Sequence, residues 1–121
     1  IWSSCSSDVS GDYNQTDFLQ PMMPVYIDLL ASGHNLRILV YSGDDDSICA
    51  TLGTQQWIWD LGLKVEASWH PWAYQEQTAG FHVEFAGGLQ FATVHGAGHM
   101  VPSTQPARGL QVLKNFLNGK W

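Results

Sequence analysis

Asp46 and His99 are the residues with the clearest capacity for acid–base chemistry, and each lies in a loop just after a short apolar run. Asp46 belongs to the acidic triplet that follows Ile38–Tyr41, and His99 lies in a glycine-rich stretch that follows Phe91–Val94. A carboxylate that accepts a hydrogen bond from one imidazole nitrogen fixes the tautomer, so that the other nitrogen can take a proton from a nucleophile. We interpret the two residues as candidate catalytic residues, the acid and the base of a triad.

The nucleophile that such a pair serves is not found in this sequence. None of the serines has glycines two residues before and two residues after it, which is the pattern of the strained turn that exposes a nucleophilic serine. In the α/β-hydrolases the acid and then the histidine follow that serine along the chain. We therefore expect the serine to lie on another polypeptide.

The acidic triplet also allows other interpretations. Only one of Asp44, Asp45 and Asp46 can orient His99, and their spacing alone does not select it. All three could be solvated in a turn, or Asp44 and Asp46 could bind a divalent cation. His95 and His99 have the spacing of a zinc site on a helix, but the glycines between them disfavour a helix there. We predict no metal.

The composition indicates a surface that is covered by another polypeptide. Charged residues make up 13% of the chain, about half the usual ~25%, and there are six tryptophans. The net charge of -6 argues against a nucleic-acid partner, because phosphate binding requires clustered Lys and Arg. No apolar run approaches the ~20 residues that cross a bilayer, so no membrane partner is predicted.

The first half of the chain predicts a helix followed by a strand. Residues 1–16 are polar, which predicts irregular structure. Helical spacing from Asp17 predicts a helix that ends at Gly33, and Pro21 and Pro24 limit it to starting near them. Its apolar residues are Met22, Val25, Tyr26, Leu29 and Leu30. The continuous apolar run Ile38–Tyr41 predicts a strand that is buried on both faces.

The second half predicts a helix over 54–61, a strand over 64–69, a hairpin and a last helix. The hairpin joins 81–85 to 89–94 through Gly87-Gly88, and the last helix runs from about Pro106 to Gly119. Its predicted buried face consists of Leu110, Leu113, Phe116 and Leu117. The pattern is half of an α/β sheet with helices on its faces, which leaves an edge strand unpaired. Residues 1–121 are expected to form one continuous segment of a single domain.

Two strings are specific enough to indicate a family. Gly43–Cys49 reads Gly-Asp-Asp-Asp-Ser-Ile-Cys, and Gly96–Pro102 reads Gly-Ala-Gly-His-Met-Val-Pro; both strongly resemble the serine carboxypeptidases. Weaker matches are Trp2, Cys5-Ser6, Leu39-Val40-Tyr41, Pro71-Trp72, Ala79-Gly80-Phe81 and Gln105-Pro106-Ala107. The chain is similar to the C-terminal, smaller chain of a two-chain member, whose serine stays on the N-terminal large chain. A start at Ile1 fits a chain that begins at a proteolytic cut.

The resemblance assigns roles to residues by position. Asp46, the second acid of the family's Gly-Asp-x-Asp pattern, matches the triad acid, and His99 matches the general base. Cys49 and Met100 match residues that line the leaving-group pocket, S1′. Cys5 matches the cysteine that links this region to the N-terminal part of the enzyme, which implies an interchain disulfide. The implied fold is the C-terminal part of an α/β-hydrolase fold, a central mixed sheet flanked by helices and completed by the second chain.

The implied function is that of a serine-type carboxypeptidase, which removes amino acids from peptides with a free C-terminus. The large chain would supply the serine and the oxyanion hole, and no cofactor is required. The family works at acidic pH in vacuoles, lysosomes or outside the cell. The N-glycosylation sequon at Asn14 and a disulfide both agree with a protein of the secretory pathway.

Two other functions are compatible with the resemblance. Plant relatives with the same triad act as acyltransferases or hydroxynitrile lyases, and Cys49 and Met100 favour the peptidase over them. The second alternative is a non-catalytic glycoprotein subunit that inherited the fold. The intact Asp46 and His99 argue against it, because such a subunit has no physical reason to retain both.

Overall fold

Four strands form one mixed sheet in the computed structural model, which describes residues 3–121. The strands are β1 (Ile38–Gly43), β2 (Val65–Tyr74), β3 (Gln77–Phe85) and β4 (Leu89–Val94), in the order β1-β4-β3-β2. β1 pairs with β4 in parallel, whereas β4 with β3 and β3 with β2 are antiparallel. The expected mixed sheet with helices, an α/β fold, is confirmed at this level.

Six helices connect and cover the strands within the described part of the chain. They are α1 (Ser7–Asp12), α2 (Gln15–Phe18), α3 (Met23–Ala31), α4 (Thr51–Asp60), α5 (Val101–Thr104) and α6 (Pro106–Asn118). Over residues 3–121, none of them combines the length and the apolar character that a membrane-spanning helix needs.

The core consists of two apolar clusters on opposite faces of the sheet. One cluster joins Trp72, Val94 and Ala97 to Val101 of α5 and Val112 of α6. The other cluster joins strands β3 and β4 to α4; its members are Ile58, Val83, Phe85, Leu89 and Phe91. Every residue of β4 is buried, because this strand has a neighbour on each side and both of its faces are covered.

The parallel pairing of β1 with β4 positions the two loops that carry chemistry. The last residues of these strands, Gly43 and Val94, are register partners. The loop that carries the acidic triplet and the loop that carries His99 therefore leave the sheet side by side at the same edge.

The predicted hairpin and last helix are confirmed, whereas the prediction for the start of the chain has to be corrected. Residues 1–16 were expected to be irregular, yet α1 and α2 form there, capped by the side chains of Ser6 and Asn14, which accept hydrogen bonds from backbone N–H groups. Ile1 and Trp2 lie outside the described residues. The next helix starts at Met23, close to the two prolines that were expected to limit its start, and Pro24 occupies its first turn, where it needs no N–H partner.

Two predicted patterns of burial are wrong. On α6 the leucines at 110, 113 and 117 are exposed, and Val112 and Asn115 are buried instead. β1 was expected to be buried on both faces, but it lies at an edge of the sheet, and the side chain of Tyr41 is exposed. Both differences leave apolar surface on the side of the molecule that β1 borders.

The strand predicted over 64–69 continues through Pro71 to Tyr74 and forms a second hairpin with β3. A proline is tolerated there because β2 is the other edge of the sheet. The turn between β2 and β3 contains Gln75 at φ 51° and Glu76 at φ 62°, which are left-handed conformations without a glycine. The usual glycine signal of a hairpin turn is thus missing from the sequence.

A buried histidine lies on the face of the sheet that α6 covers. His82 is fully buried and stacks on Trp121 with ring centroids 3.7 Å apart. Its Nε2 donates to Gln90 Oε1 at 3.3 Å, while Nδ1 has no hydrogen-bond partner among the described residues. Burial lowers the pKa of His82 to about 4; the hydrogen bond to Gln90 opposes this effect and the charge of the nearby His70 reinforces it.

We expect His82 to make the fold acid-sensitive. The unfolded chain protonates this ring near its ordinary pKa of 6.5, so the stabilisation is complete above that pH and is lost as the pH falls towards 4. Relative to His82→Phe, which keeps an aromatic ring on Trp121, the wild type should lose up to about 3 kcal/mol between pH 7 and pH 4. Urea unfolding at a series of pH values measures this difference.

The matched control is His34→Gln, because His34 is exposed. This variant should keep the wild-type dependence of the free energy of unfolding on pH. If His82→Phe kept that dependence as well, the buried ring would not be the acid-sensitive group.

Candidate active site

Backbone hydrogen bonds hold the loops after β1 and β4 against each other. Asp44 N donates to Val94 O at 3.2 Å, and Asp45 N donates to Ala97 O at 3.0 Å. Gly43 makes this approach possible, because a Cβ at this position would overlap the carbonyl oxygen of Ala97. The glycine at 43 is therefore required by the close contact of the two loops.

Asp46 and His99 meet where these loops face each other. His99 Nδ1 donates to Asp46 Oδ2 at 3.0 Å, and the Asp46 side chain is only 6% exposed. The other carboxylate oxygen, Oδ1, accepts the backbone N–H groups of Ile48 at 2.8 Å and Cys49 at 3.0 Å. Both oxygens are thus fixed, one by its own loop and one by the imidazole.

These contacts favour the charged form of Asp46. Burial raises the pKa of this carboxyl, but the hydrogen bonds from Cys49, His99 and Ile48 together outweigh burial and lower the pKa below its ordinary value. Asp46 therefore remains a carboxylate in moderately acidic solution. A carboxylate at this position can stabilise the imidazolium that forms when His99 takes up a proton.

His99 presents its second nitrogen outward. Its side chain is 58% exposed, and Nε2 has no partner among residues 3–121. Thr104 fixes the loop that carries His99. Its hydroxyl accepts a hydrogen bond from Gly98 N at 3.2 Å and donates one to Met100 O at 3.2 Å. This arrangement suits a general base, because a carboxylate sets the tautomer of the imidazole and the free nitrogen can accept a proton.

The structure selects one member of the acidic triplet for His99 and gives a second member to His95. His95 Nδ1 donates to Asp44 Oδ2 at 2.8 Å, and Gly96 N donates to Asp44 Oδ1 at 2.7 Å. The carboxylate of Asp45 is exposed and forms no hydrogen bond or ion pair with the described residues. Sequence reasoning missed the Asp44–His95 pair, although Asp44 lies in the first string that indicates the family and His95 directly precedes the second.

The metal alternatives can now be compared with the geometry. The Nδ1 atoms of His95 and His99 are each bound to a different carboxylate, so the HxxxH spacing does not create a shared zinc site. One group of donors is close enough to hold an ion, since atoms of Asp46, Cys49 and His99 lie within 4.8 Å of one another. Both oxygens of Asp46 already accept hydrogen bonds, so a metal would have to displace the contacts that orient His99.

The remaining predicted site residues lie at exposed positions. Cys49 lies beside Asp46 and His99, and Met100 follows His99 with 64% of its surface exposed. Cys5 and Cys49 are both exposed free thiols, so they do not pair with each other. Asn14 is exposed as well, and its Oδ1 accepts a hydrogen bond from Thr16 N at 2.9 Å.

Comparison with known proteins identifies the family. A family model described as serine carboxypeptidase matches residues 1–119. The chain belongs to the serine carboxypeptidase family. It is 42% identical over 118 residues to serine carboxypeptidase-like 22 and 40% identical over 119 residues to serine carboxypeptidase 24, both from Arabidopsis thaliana. The alignments cover 98% of this chain but 25% and 24% of those relatives, so the chain spans about a quarter of their length.

Substitutions at the two Asp–His pairs should separate their roles. In the complete protein, we expect His99→Ala to abolish any turnover that depends on this pair and to leave substrate binding largely intact. Asp46→Asn should lower kcat by about 10⁴, because an amide favours the wrong histidine tautomer. Asp44→Asn and Asp45→Asn should cost far less. Steady-state kinetics measure all four variants, and a larger loss for Asp45→Asn than for Asp46→Asn would contradict the assignment.

Proposed function

We propose that the chain carries the histidine and the acid of a serine-type carboxypeptidase that acts on peptides with a free C-terminus. The observation that carries this proposal is the hydrogen bond from His99 to the buried Asp46, with Nε2 of His99 open to solvent, in a member of the serine carboxypeptidase family. The catalytic serine would reach Nε2 from a polypeptide outside this chain.

In the proposed mechanism, His99 moves one proton in each direction. Its Nε2 takes the proton of the serine hydroxyl as the serine oxygen attacks the carbonyl carbon of the last peptide bond. The imidazolium then gives that proton to the nitrogen of the departing amino acid. Water next attacks the acyl carbon while Nε2 takes its proton, and the imidazolium returns this proton to the serine oxygen as the shortened peptide leaves. Asp46 holds the tautomer and stabilises the positive charge; its lowered pKa keeps it ionised at the acidic pH where the family works.

The proposed partner is the N-terminal large chain of the same precursor, which would supply the serine and the oxyanion hole. The open edge of β1 and the exposed leucines of α6 give it an apolar surface to cover. A chain that spans a quarter of its relatives also leaves most of an α/β-hydrolase domain to be supplied. We propose that Cys5, an exposed free thiol here, forms the disulfide that joins the two chains.

Cys49 and Met100 are proposed to line the S1′ pocket that receives the leaving amino acid. Their exposure beside the Asp46–His99 pair supports this role, since a side chain that contacts the leaving group must lie near the base that protonates it. A glycan on the exposed Asn14 and a location in the vacuole, the lysosome or the extracellular space complete the proposal.

One alternative function has support in the names of the relatives. Several of the similar Arabidopsis proteins are called serine carboxypeptidase-like. An acyltransferase or a hydroxynitrile lyase would use the same Asp46–His99 geometry, with the difference lying in the substrate pocket. A non-catalytic glycoprotein subunit is less well supported, because it would have no need of a carboxylate that is shielded from solvent and hydrogen-bonded through both oxygens.

Labelling of the complete protein with a fluorophosphonate probe tests the proposed chemistry. A serine activated by His99 should form a covalent adduct on the partner chain, and His99→Ala should abolish labelling. Incubation with blocked dipeptides, acyl-glucose esters and cyanohydrins then distinguishes the reactions, with release of the C-terminal amino acid expected. Absence of labelling in the folded wild type would favour the non-catalytic alternative, and turnover of the esters or cyanohydrins alone would favour the other enzymes.

The two cysteines should differ in reactivity in the complete protein. Treatment with a bulky maleimide should modify Cys49 and block the leaving amino acid, so activity falls; Cys49→Ser should stay active, resist the reagent and change its preference among C-terminal residues. Cys5 should react only after reduction, which should also separate the two chains. Peptide mapping with the activity assay measures both, and a Cys5–Cys49 bond or unchanged activity after labelling would refute the assignments.

A further inference from the structure

We infer that Asp44 and His95 form a positioning pair that sets the distance between Asp46 and His99. The inference rests on the proposed function, because it assigns Asp44 and His95 an effect on catalysis that acts only through the other pair. The two pairs join the same two loops, the first at the base of the loops and the second at the reacting end.

The contacts of Asp44 cross from one loop to the other. Its two oxygens accept from His95 Nδ1 at 2.8 Å and from Gly96 N at 2.7 Å. Two hydrogen bonds from neighbouring groups fix both the position and the rotation of a carboxylate, as a bidentate pair does. Asp44 lies two residues before Asp46, and His95 lies four residues before His99, so the bonds control the start of both segments.

The histidine loop is also held on its opposite side. Arg108 of α6 donates to the carbonyl oxygen of His95, and Gln105 Nε2 donates to Gly96 O at 3.0 Å. The backbone of 95–96 is therefore clamped between Asp44 on one side and the start of α6 on the other. Loss of the Asp44 side chain would remove the contacts on the first side and leave those from Gln105 and Arg108 intact.

Only Asp44 and Asp46 supply side-chain hydrogen bonds between the two loops in the described part of the chain. Without the Asp44 side chain, the bond between Asp46 and His99 would be the one remaining side-chain hydrogen bond between these loops, beside the backbone bonds that join them. A displacement of about 1 Å in a catalytic group can lower the rate about 10²-fold. The Asp44–His95 pair therefore affects catalysis by setting the distance between Asp46 and His99.

The exposure of the His95 and Asp44 side chains distinguishes a positioning role from a role in folding. The side chains of His95 and Asp44 are 65% and 36% exposed, and neither belongs to an apolar cluster of the core. Exposed ion pairs contribute little to stability, so removal of this pair should leave the fold intact. A change in activity can then be assigned to geometry.

The kinetic test uses the complete enzyme with four variants and one control. Asp44→Ala and His95→Ala should each lower kcat by about 10- to 100-fold per active serine, with KM changed less than about threefold. The double variant should be no worse than the poorer single variant, because the bond that His95→Ala removes is already lost in Asp44→Ala. His95→Arg should recover most of kcat, since a guanidinium can donate to Asp44 as well. The control is Asp45→Ala, which removes an unbonded carboxylate of the same triplet and should match the wild type.

A second readout does not depend on turnover. In protein labelled with ¹⁵N-histidine, the Nδ1–H resonance of His99 reports its hydrogen bond to Asp46. Asp44→Ala should shift or broaden this resonance at unchanged melting temperature, and Asp45→Ala should leave it in place. Failure of the fluorophosphonate probe to label a serine in the wild type would overturn the proposed function. If Asp44→Ala instead kept the wild-type His99 resonance and the wild-type kcat, the positioning role alone would be overturned.

Discussion

The parallel pairing of β1 with β4 is the constraint on which the rest of the site depends. It brings Gly43 opposite Val94, and the absence of a Cβ at 43 lets the following loops touch through their backbones. Asp46 and His99 lie 53 residues apart in the chain and meet only because of this register. A slip of one residue would turn every β1 side chain to the opposite face of the sheet and separate the acid from the base.

The sequence was informative where the signal is local. Gly87-Gly88 predicted the β3–β4 hairpin, and the two family strings contain Asp46 and His99, which the structure brings within hydrogen-bond distance. The adjacency of β1 and β4 could not be read from periodicity, because it joins segments about fifty residues apart. The same reason explains why the Asp44–His95 contact was missed. The β2–β3 turn was missed because Gln75 and Glu76 adopt left-handed conformations without glycine.

The incorrect burial predictions have one physical origin. The leucines at 110, 113 and 117 have the spacing of a helix face that packs on another surface, yet all three are exposed. The pattern does not say whether the packing partner belongs to the same chain. The low charge content agrees with the proposed partner chain, since a surface that is covered by protein has no need of charges.

The two loop histidines have a consequence for chemical modification of the protein. His95 and His99 expose 65% and 58% of their side chains, so a reagent that acylates imidazoles would reach both rings in this chain. Inactivation by such a reagent would therefore not identify the base, even if the loss followed a single exponential. His82 is shielded and would serve as an internal standard, because its acylation would report unfolding. Assignment of the base by footprinting thus requires peptide-level resolution between two residues that lie four positions apart.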